Sequence, residues 1–242
     1  MAKEWFEEWF DSPYYHKLYQ NRDSNEANVF VDNLFQYFGL QSGSNILDLA
    51  CGKGRFSTYI ASKGHWVTGL DLSSNSILEA NKIATEHLEF YCHDMRHPFR
   101  INYFDFVFNF FTSFGYFRNL TDNARTLNAV CLGLKKGGYF VLDFLNASYV
   151  EQHLVPQEVK VVDGVTFEIK REIENSIVYK NIHFTENGQQ FSFQEAVQLI
   201  TLGQFQELFS NAGLKIKAVF GDYQLMPFDP THSKRLIIIA QK

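Results

Sequence analysis

The stretch that most constrains this chain runs Asn45-Ile46-Leu47-Asp48-Leu49-Ala50-Cys51-Gly52-Lys53-Gly54-Arg55-Phe56. Ile46 to Ala50 is a short apolar run broken only by Asp48, the pattern of a buried strand whose carboxyl end opens at a polar site. Gly52 and Gly54 follow at once, and Phe56, Tyr59 and Ile60 then recur at helical spacing. The reading is strand, glycine loop, helix. Glycine lets the backbone bend sharply and approach a ligand that a Cβ would hold off. The free N–H groups at the helix start then face whatever sits there. Alone, such a loop fits a dinucleotide, a phosphate or no ligand at all.

Three later runs narrow the choice. Trp66 to Leu72 ends in Asp71, at about the distance expected of an acid that accepts hydrogen bonds from ribose hydroxyls. Phe90 to Met95 ends in Asp94, and Phe104 to Phe111 ends in Asn109-Phe110-Phe111. Successive strands thus leave polar groups at their carboxyl ends, where open α/β sheets bind ligands.

Here the chain resembles the class I S-adenosylmethionine (SAM) dependent methyltransferases. The matching segments are Leu47 to Gly54, Val67 to Ser73, His93 to Arg96, Phe104 to Val107 continuing through Ser113-Phe114-Gly115-Tyr116, and Leu134 to Phe140. They cover most of residues 40–146, and the likeness resumes after about residue 200. Ala50 departs from the pattern, standing where the family often has the first glycine of its loop; its side chain is small enough to leave cofactor binding intact.

The resemblance implies an α/β, Rossmann-like, seven-stranded sheet with an antiparallel terminal hairpin, and SAM as cofactor. Asp71 would accept from both ribose hydroxyls and Asp94 from the adenine amine, with Met95 nearby and Leu72 against the ring. Ala50, Gly52 and Gly54 would bring the backbone to the sugar and tail. Asp48 would counter the tail ammonium, and Asn109 and Phe110 would close the site beside the sulfonium. Asp48 and Asp94 also read as ordinary cap or turn acids.

The chain in order supports a single methyltransferase domain over 1–242. Residues 1–40 read as a helical lead-in: Trp5, Phe6, Trp9 and Phe10 fall at helical spacing until Ser12-Pro13, and Glu26 to Phe38 carries Phe30, Val31, Leu34 and Phe35 on one side until Gly39. In the family such helices cover the cofactor as a lid, which makes Tyr14, Tyr15 and Arg22 candidates for its methionine end and the adjoining substrate; the plainer alternative is surface polarity and core packing. Strands over 45–50, 66–71, 88–92, 104–110 and 139–145 alternate with helices over 54–63, from Ser73 onward, and over about 122–134, as in a parallel sheet with right-handed crossovers. At about 150 the helical period stops. Residues 150–200 alternate apolar and polar, with Asp163-Gly164 and Asn187-Gly188 as hairpin turns, so an antiparallel β meander is inserted here. It reads either as a substrate-covering subdomain or as a stabilising decoration. A helix over 203–212 ends at Gly213, and strands over 214–220 and 235–240 joined without a helix must be antiparallel neighbours.

Composition sets the remaining limits. A formal net charge of −5 leaves no electrostatic footprint for nucleic acid. Asn109-Phe110-Phe111-Thr112 also lacks the proline pair used by methylases of exocyclic base amines. Three cysteines without paired spacing suit reduced thiols in the cytoplasm. No run reaches membrane-span length, and no metal is implied. Aromatics are abundant, with 25 Phe and 12 Tyr, which reads as a Phe-packed core or in part as a pocket lining.

The expected partner is therefore a small-molecule acceptor methylated at N or O, with Tyr14, Ser113, Tyr116, Asn146 and Tyr149 on the substrate side. Methyl transfer needs alignment and exclusion of water more than a catalytic side chain. No residue identifies itself as a general base; Tyr116, His183 and His232 are the candidates, and a lone histidine is more often structural. Two rivals stand beside this reading. An NAD-dependent oxidoreductase also uses a glycine loop and a distal acid, but Ser57 occupies the place of the fingerprint's third small residue. A SAM-binding module without catalysis would keep the same cofactor residues.

Overall fold

The computed structural model describes residues 4–20 and 24–242, with side chains omitted for residues 24–27. Arg22 lies outside the described residues. Three helices open the chain: α1 (Trp5–Trp9), α2 (Pro13–Leu18) and α3 (Ser24–Phe38). Ser12 caps α2 by accepting from Tyr14 N–H, and Pro13 supplies the preset φ of the first turn. The α/β body follows as β1 (Asn45–Leu49), α4 (Arg55–Ser62), β2 (Trp66–Asp71), α5 (Ser74–Ala80), β3 (Leu88–Cys92), β4 (Phe104–Asn109), α6 (Leu120–Gly133) and β5 (Leu134–Leu145). A short α7 (Ala147–His153) leads into β6 (Gln157–Val162), β7 (Val165–Glu174), β8 (Ile177–Glu186) and β9 (Gln189–Gln198). The body resumes with α8 (Leu202–Asn211), β10 (Lys215–Phe220) and β11 (Arg235–Gln241).

The main sheet has seven strands in the order β10-β11-β5-β4-β1-β2-β3. β1 to β5 pair in parallel, whereas β11 runs antiparallel to both β5 and β10. Chain order reverses at β1, because β2 and β3 build outward on one side and β4 and β5 on the other. That reversal opens a crevice at the carboxyl ends of the strands, between β1 and β4.

Both faces of the sheet are covered. Leu47, Val107, Phe140, Leu142 and Ile238 pack against Leu127 and Val130 of α6 and Phe205 and Phe209 of α8. On the opposite face Ile46, Phe108, Val141 and Ile239 meet Phe30, Val31 and Leu34 of α3, Ile60 of α4 and Ile77 of α5. This corrects the expectation that residues 1–40 form a lid throughout. α3 presents three fully buried residues to the sheet and belongs to the body, so only α1 and α2 remain as cover.

Three further departures have local causes. β5 begins at Leu134, earlier than the alternation suggests, and passes through Gly137 at φ 83° with a register shift against β4. A Cβ on Gly138 would lie 3.0 Å from the Asp105 carbonyl, so the glycine pair makes a bulge within the strand rather than a turn before it. α7 has no counterpart among the expected elements because Asn146 to His153 offers only Ala147, Tyr149 and Val150 as apolar positions. The turn between β7 and β8 uses Asn175-Ser176, both at positive φ (51° and 59°), like the Asp163-Gly164 and Asn187-Gly188 turns beside it but without glycine.

The four inserted strands form a separate antiparallel sheet in the order β6-β7-β8-β9. Its inner face, with Val165, Phe167, Ile169, Ile182 and Phe184, shares one apolar cluster with Trp9 of α1 and Leu18 of α2. Lys17 pairs with Glu186 at 2.7 Å, and Gln20 bonds Asp163 at 2.9 Å. The first two helices and the insert thus form one cap, built from segments about 140 residues apart in sequence.

Candidate active site

Chain geometry at the end of β1 is set by three left-handed residues, Ala50 (φ 65°), Gly52 (φ 55°) and Gly54 (φ 80°). The two glycines serve different ends. A Cβ on Gly52 would meet nothing within 4 Å, and this residue lines a cavity. A Cβ on Gly54 would collide with the Phe90 ring, so Gly54 seats the start of α4 on β3 and does not reach the cavity.

That cavity holds about 790 Å³ of empty space, part of it open to solvent. On the body side it is bounded by the Ala50–Gly52 loop, by Asp71 and Leu72 after β2, and by Asp94 and Met95 after β3. Asp71 accepts from Gly52 N–H and from Ser73 N–H, each at 2.8 Å. Burial raises its pKa above the usual carboxylate value, against the pull of these backbone donors. The loop and the acid are therefore one unit. Asp94 chelates the Arg96 guanidinium and accepts from Arg96 N–H at 2.9 Å. Burial alone would raise Asp94, but Arg96 outweighs it and holds the carboxyl below its ordinary range.

From the other side the cap closes the cavity with Phe6, Phe10, Tyr15 and His16. The contact is latched by Asp11, whose carboxylate accepts from Ser73 Oγ at 2.6 Å and from Asn75 Nδ2 at 2.8 Å. Burial, reinforced by nearby Lys53, pushes His16 down to about 4, so it faces the cavity as a neutral imidazole at pH 7.

Asp48 lies behind the loop, 2% exposed, accepting from Ser57 Oγ at 2.6 Å. Its burial, with a smaller contribution from Asp71, pushes its pKa up to about 6. Asn109 is fully buried and its Nδ2 donates to Leu49 O at 2.8 Å and Ser113 O at 3.3 Å, stapling the end of β1 to the loop after β4. Phe110 packs into the sheet between Phe30 and Phe108, at 5.0 and 5.2 Å between ring centroids. These three residues, like Gly54, shape the site from beneath.

A second cavity adjoins the first, and Phe10, Tyr15, Ser113 and Tyr116 line both. Its own walls include Trp5 from α1, Glu195 from β9, and Arg55, Tyr223 and Arg235 from the body. The floor rests on Asp143, fully buried on β5, which receives Arg235 Nη2 at 2.6 Å, Phe111 N–H at 2.7 Å and the Tyr223 hydroxyl at 3.2 Å. Arg235 also donates to Thr112 Oγ1 at 3.0 Å. This network holds Phe111 and Thr112 at φ 57° and 61°, a left-handed pair that turns the chain between the two cavities. Tyr116 hydrogen-bonds the Thr112 carbonyl and fixes the same turn.

Of the residues singled out in the sequence, Ala50, Gly52, Asp71, Leu72, Asp94, Met95, Tyr15, Ser113 and Tyr116 converge on these cavities. Five others do not. Tyr14 packs on Phe184 and Phe191 of the insert, at 4.6 and 4.7 Å, as part of the cap's core. Asn146 is spent on the Pro230 and Ser233 carbonyls, and Tyr149 stacks on His153 one helical turn away. His183 is exposed on the face of β8 opposite Ile182 and Phe184, and His232 sits exposed in a loop beside Asp229. Neither histidine reaches the site. The sequence reading missed Phe6, Phe10, Glu195 and Arg235. The first two were visible as an aromatic helix, but the last two are ordinary strand positions whose role depends on tertiary pairing. Among the described residues there is no cluster of metal-ligating side chains, and no helix is long and apolar enough to cross a membrane.

Residues 46–138 match a family described as a methyltransferase domain. Over the full length of both proteins, the chain is 23% identical in 254 aligned residues to a putative methyltransferase of Geobacillus sp. strain WCH70. It is 26% identical over 193 residues to a dTDP-3-amino-3,4,6-trideoxy-alpha-D-glucopyranose N,N-dimethyltransferase of Streptomyces venezuelae, covering 74% of this chain and 78% of that protein. Its fold matches the crystal structure of a SAM-dependent methyltransferase from Clostridium acetobutylicum with a TM-score of 0.80 at 22% identity, covering 94% and 96% of the two chains.

Proposed function

We propose that this chain, whose residues 46–138 match a methyltransferase domain, is a SAM-dependent methyltransferase that transfers the methyl group of SAM to a nitrogen or oxygen of a small molecule. The observation that carries this reading is the pair of adjoining cavities with a shared wall at Phe10, Tyr15, Ser113 and Tyr116. One compartment suits the nucleoside and the other the acceptor.

The residues present fit SAM. Gly52 offers an unobstructed backbone, Asp71 is an ionisable acceptor at the strand end, and Leu72 and Met95 supply apolar faces. In this assignment Asp71 holds the ribose hydroxyls, Asp94 the adenine amine, and Asp48 counters the tail ammonium from beneath the loop. When bound, SAM supplies a methyl on a positively charged sulfur, which passes to an acceptor lone pair as the C–S electron pair returns to sulfur. The cap residues exclude water, and the Phe111-Thr112 turn fixes where the acceptor can stand, so alignment does most of the catalytic work. Against a dinucleotide enzyme, Ser57 is buried with its hydroxyl on Asp48, where a third glycine would be needed.

The whole chain acts as one methyltransferase domain, its first two helices and the insert covering the substrates. The free thiols Cys51, Cys92 and Cys131 support a reducing, cytoplasmic setting. The Streptomyces relative makes amino sugars the first acceptors to screen. Titration calorimetry with SAM and S-adenosylhomocysteine, on the wild type and Asp71→Ala, tests the reading. Both ligands should bind the wild type, with affinity at least about tenfold weaker in the variant, as loss of hydrogen bonds to a charged group implies. Binding of neither, or binding indifferent to Asp71, would refute it.

A further inference from the structure

Glu195 is the carboxylate of the acceptor cavity, and its surroundings are unlike those of a surface glutamate. Oε1 accepts from Trp9 Nε1 at 2.7 Å and from the Tyr19 hydroxyl at 2.6 Å, both on the cap helices. Lys180 approaches Oε2 at 3.7 Å and also bonds the Tyr19 hydroxyl. The side chain is mostly buried, yet it lines the cavity. Around the same space Trp5 packs edge to face on Phe10 and Tyr116 at 5.5 and 5.3 Å, Phe10 is tilted against Tyr116 at 5.2 Å, and Tyr15 lies 4.9 Å from Phe10. Aromatic walls with one carboxylate favour a group that carries or gains positive charge.

Among the described residues no histidine lines this cavity. Of the two guanidiniums on its walls, Arg235 is matched by Asp143 and Arg55 lies over the Phe56 ring at 4.5 Å, and Glu195 is the carboxylate among the described lining residues. An alcohol must lose its proton as it attacks, which calls for a base. An amine arrives as an ammonium, which yields its proton to solvent far more readily than an alcohol does, and the free base then attacks with the exposed lone pair. Its nitrogen then becomes an ammonium and sheds a proton to solvent, and the charge that leaves sulfur appears on nitrogen, where a carboxylate stabilises it.

We propose that Glu195 selects an amine as the methyl acceptor, accepting a hydrogen bond from the nitrogen that is methylated, and that the same carboxylate fastens the cap through Trp9 and Tyr19. Acceptor recognition and cap closure then share one side chain. This rests on the methyltransferase reading, deepening it from N or O to N.

The test uses the full chain, radiolabelled SAM and a panel of primary and secondary amines, amino sugars among them, paired with their hydroxyl analogues. Wild-type protein should methylate amines and leave the analogues untouched. Glu195→Gln keeps an oxygen for Trp9 and Tyr19 but removes the charge, so kcat/KM for amines should fall about tenfold to a hundredfold, the range for a hydrogen bond to a charged group. S-adenosylhomocysteine affinity, measured alongside, should stay within about twofold, because Glu195 does not line the cofactor cavity. Methylation of hydroxyl compounds only, of no panel member, or of amines equally well by Glu195→Gln would each overturn the assignment. Failure of S-adenosylhomocysteine to bind the wild type would instead strike the underlying methyltransferase reading.

Discussion

Asp48→Asn should stabilise this protein while weakening its grip on the cofactor. Asp48 is 2% exposed and its pKa is pushed from 3.8 up to about 6, chiefly by burial. The folded state therefore holds the proton more tightly than the unfolded chain, and wild-type stability falls as pH climbs from about 4 to 6 and levels off above. With those two values the penalty is about 2 kcal/mol at pH 5 and about 3 kcal/mol above pH 7. Asparagine is never ionised and its carbonyl can still accept from Ser57 Oγ, so the variant escapes the penalty without losing the bond. Urea unfolding of both proteins without cofactor, at pH 5 and 7.5, should show the variant more stable at both, with its advantage growing by about 1 kcal/mol. Calorimetry at pH 7.5 should show weaker SAM binding, because the ammonium of the amino-acid tail has lost its counter-charge. A pH-independent difference, or a variant less stable than wild type at pH 7.5, would refute the reasoning.

Two further outcomes follow from the same geometry. Arg235→Met should cost about 3–5 kcal/mol in urea unfolding, because it leaves Asp143 buried without its counter-charge; a loss below about 1 kcal/mol would mean that Phe111 N–H and Tyr223 suffice for that carboxylate. Ala50→Gly should raise stability by up to about 1 kcal/mol by relieving a non-glycine residue at φ 65°, whereas Ala50→Val should lower it; thermal unfolding of both variants checks the order.

The half of the site proposed for the cofactor was legible as a cavity because it is local. Strand ends, glycines and acids lie within one βαβ run, and the period of two for strands against 3.6 for helices places them without knowledge of the rest. The strand bounds 66–71 and 88–92 match β2 and β3 residue for residue. What the run did not reveal is division of labour within it. Gly52 and Gly54 look alike in sequence, but only the position of Phe90 on the neighbouring strand shows that one opens to the cavity and the other packs the helix. Asp48 and Asp71 likewise differ only in depth: the first lies behind the loop and the second holds its amide.

The acceptor half was illegible for a physical reason. Its walls come from α1 and the residue after it, α2, α4, the turn after β4, β9, the loop before β11 and the start of β11, and outside the turn after β4 each contributes one or two residues. Trp9 reaches Glu195 across 186 residues, and Arg235 reaches Asp143 across 92. No periodicity marks such pairs, since each partner satisfies its own strand or helix equally well without the other. The single apolar cluster uniting Trp9 and Leu18 with the inserted sheet has a mechanical consequence. Helices that wall the cofactor cavity are held by the sheet that walls the acceptor cavity. Displacing the insert must therefore loosen the cover over both substrates together. A methyl transfer that depends on alignment and dryness is then set by the packing of the cap as much as by any one side chain at the sulfur.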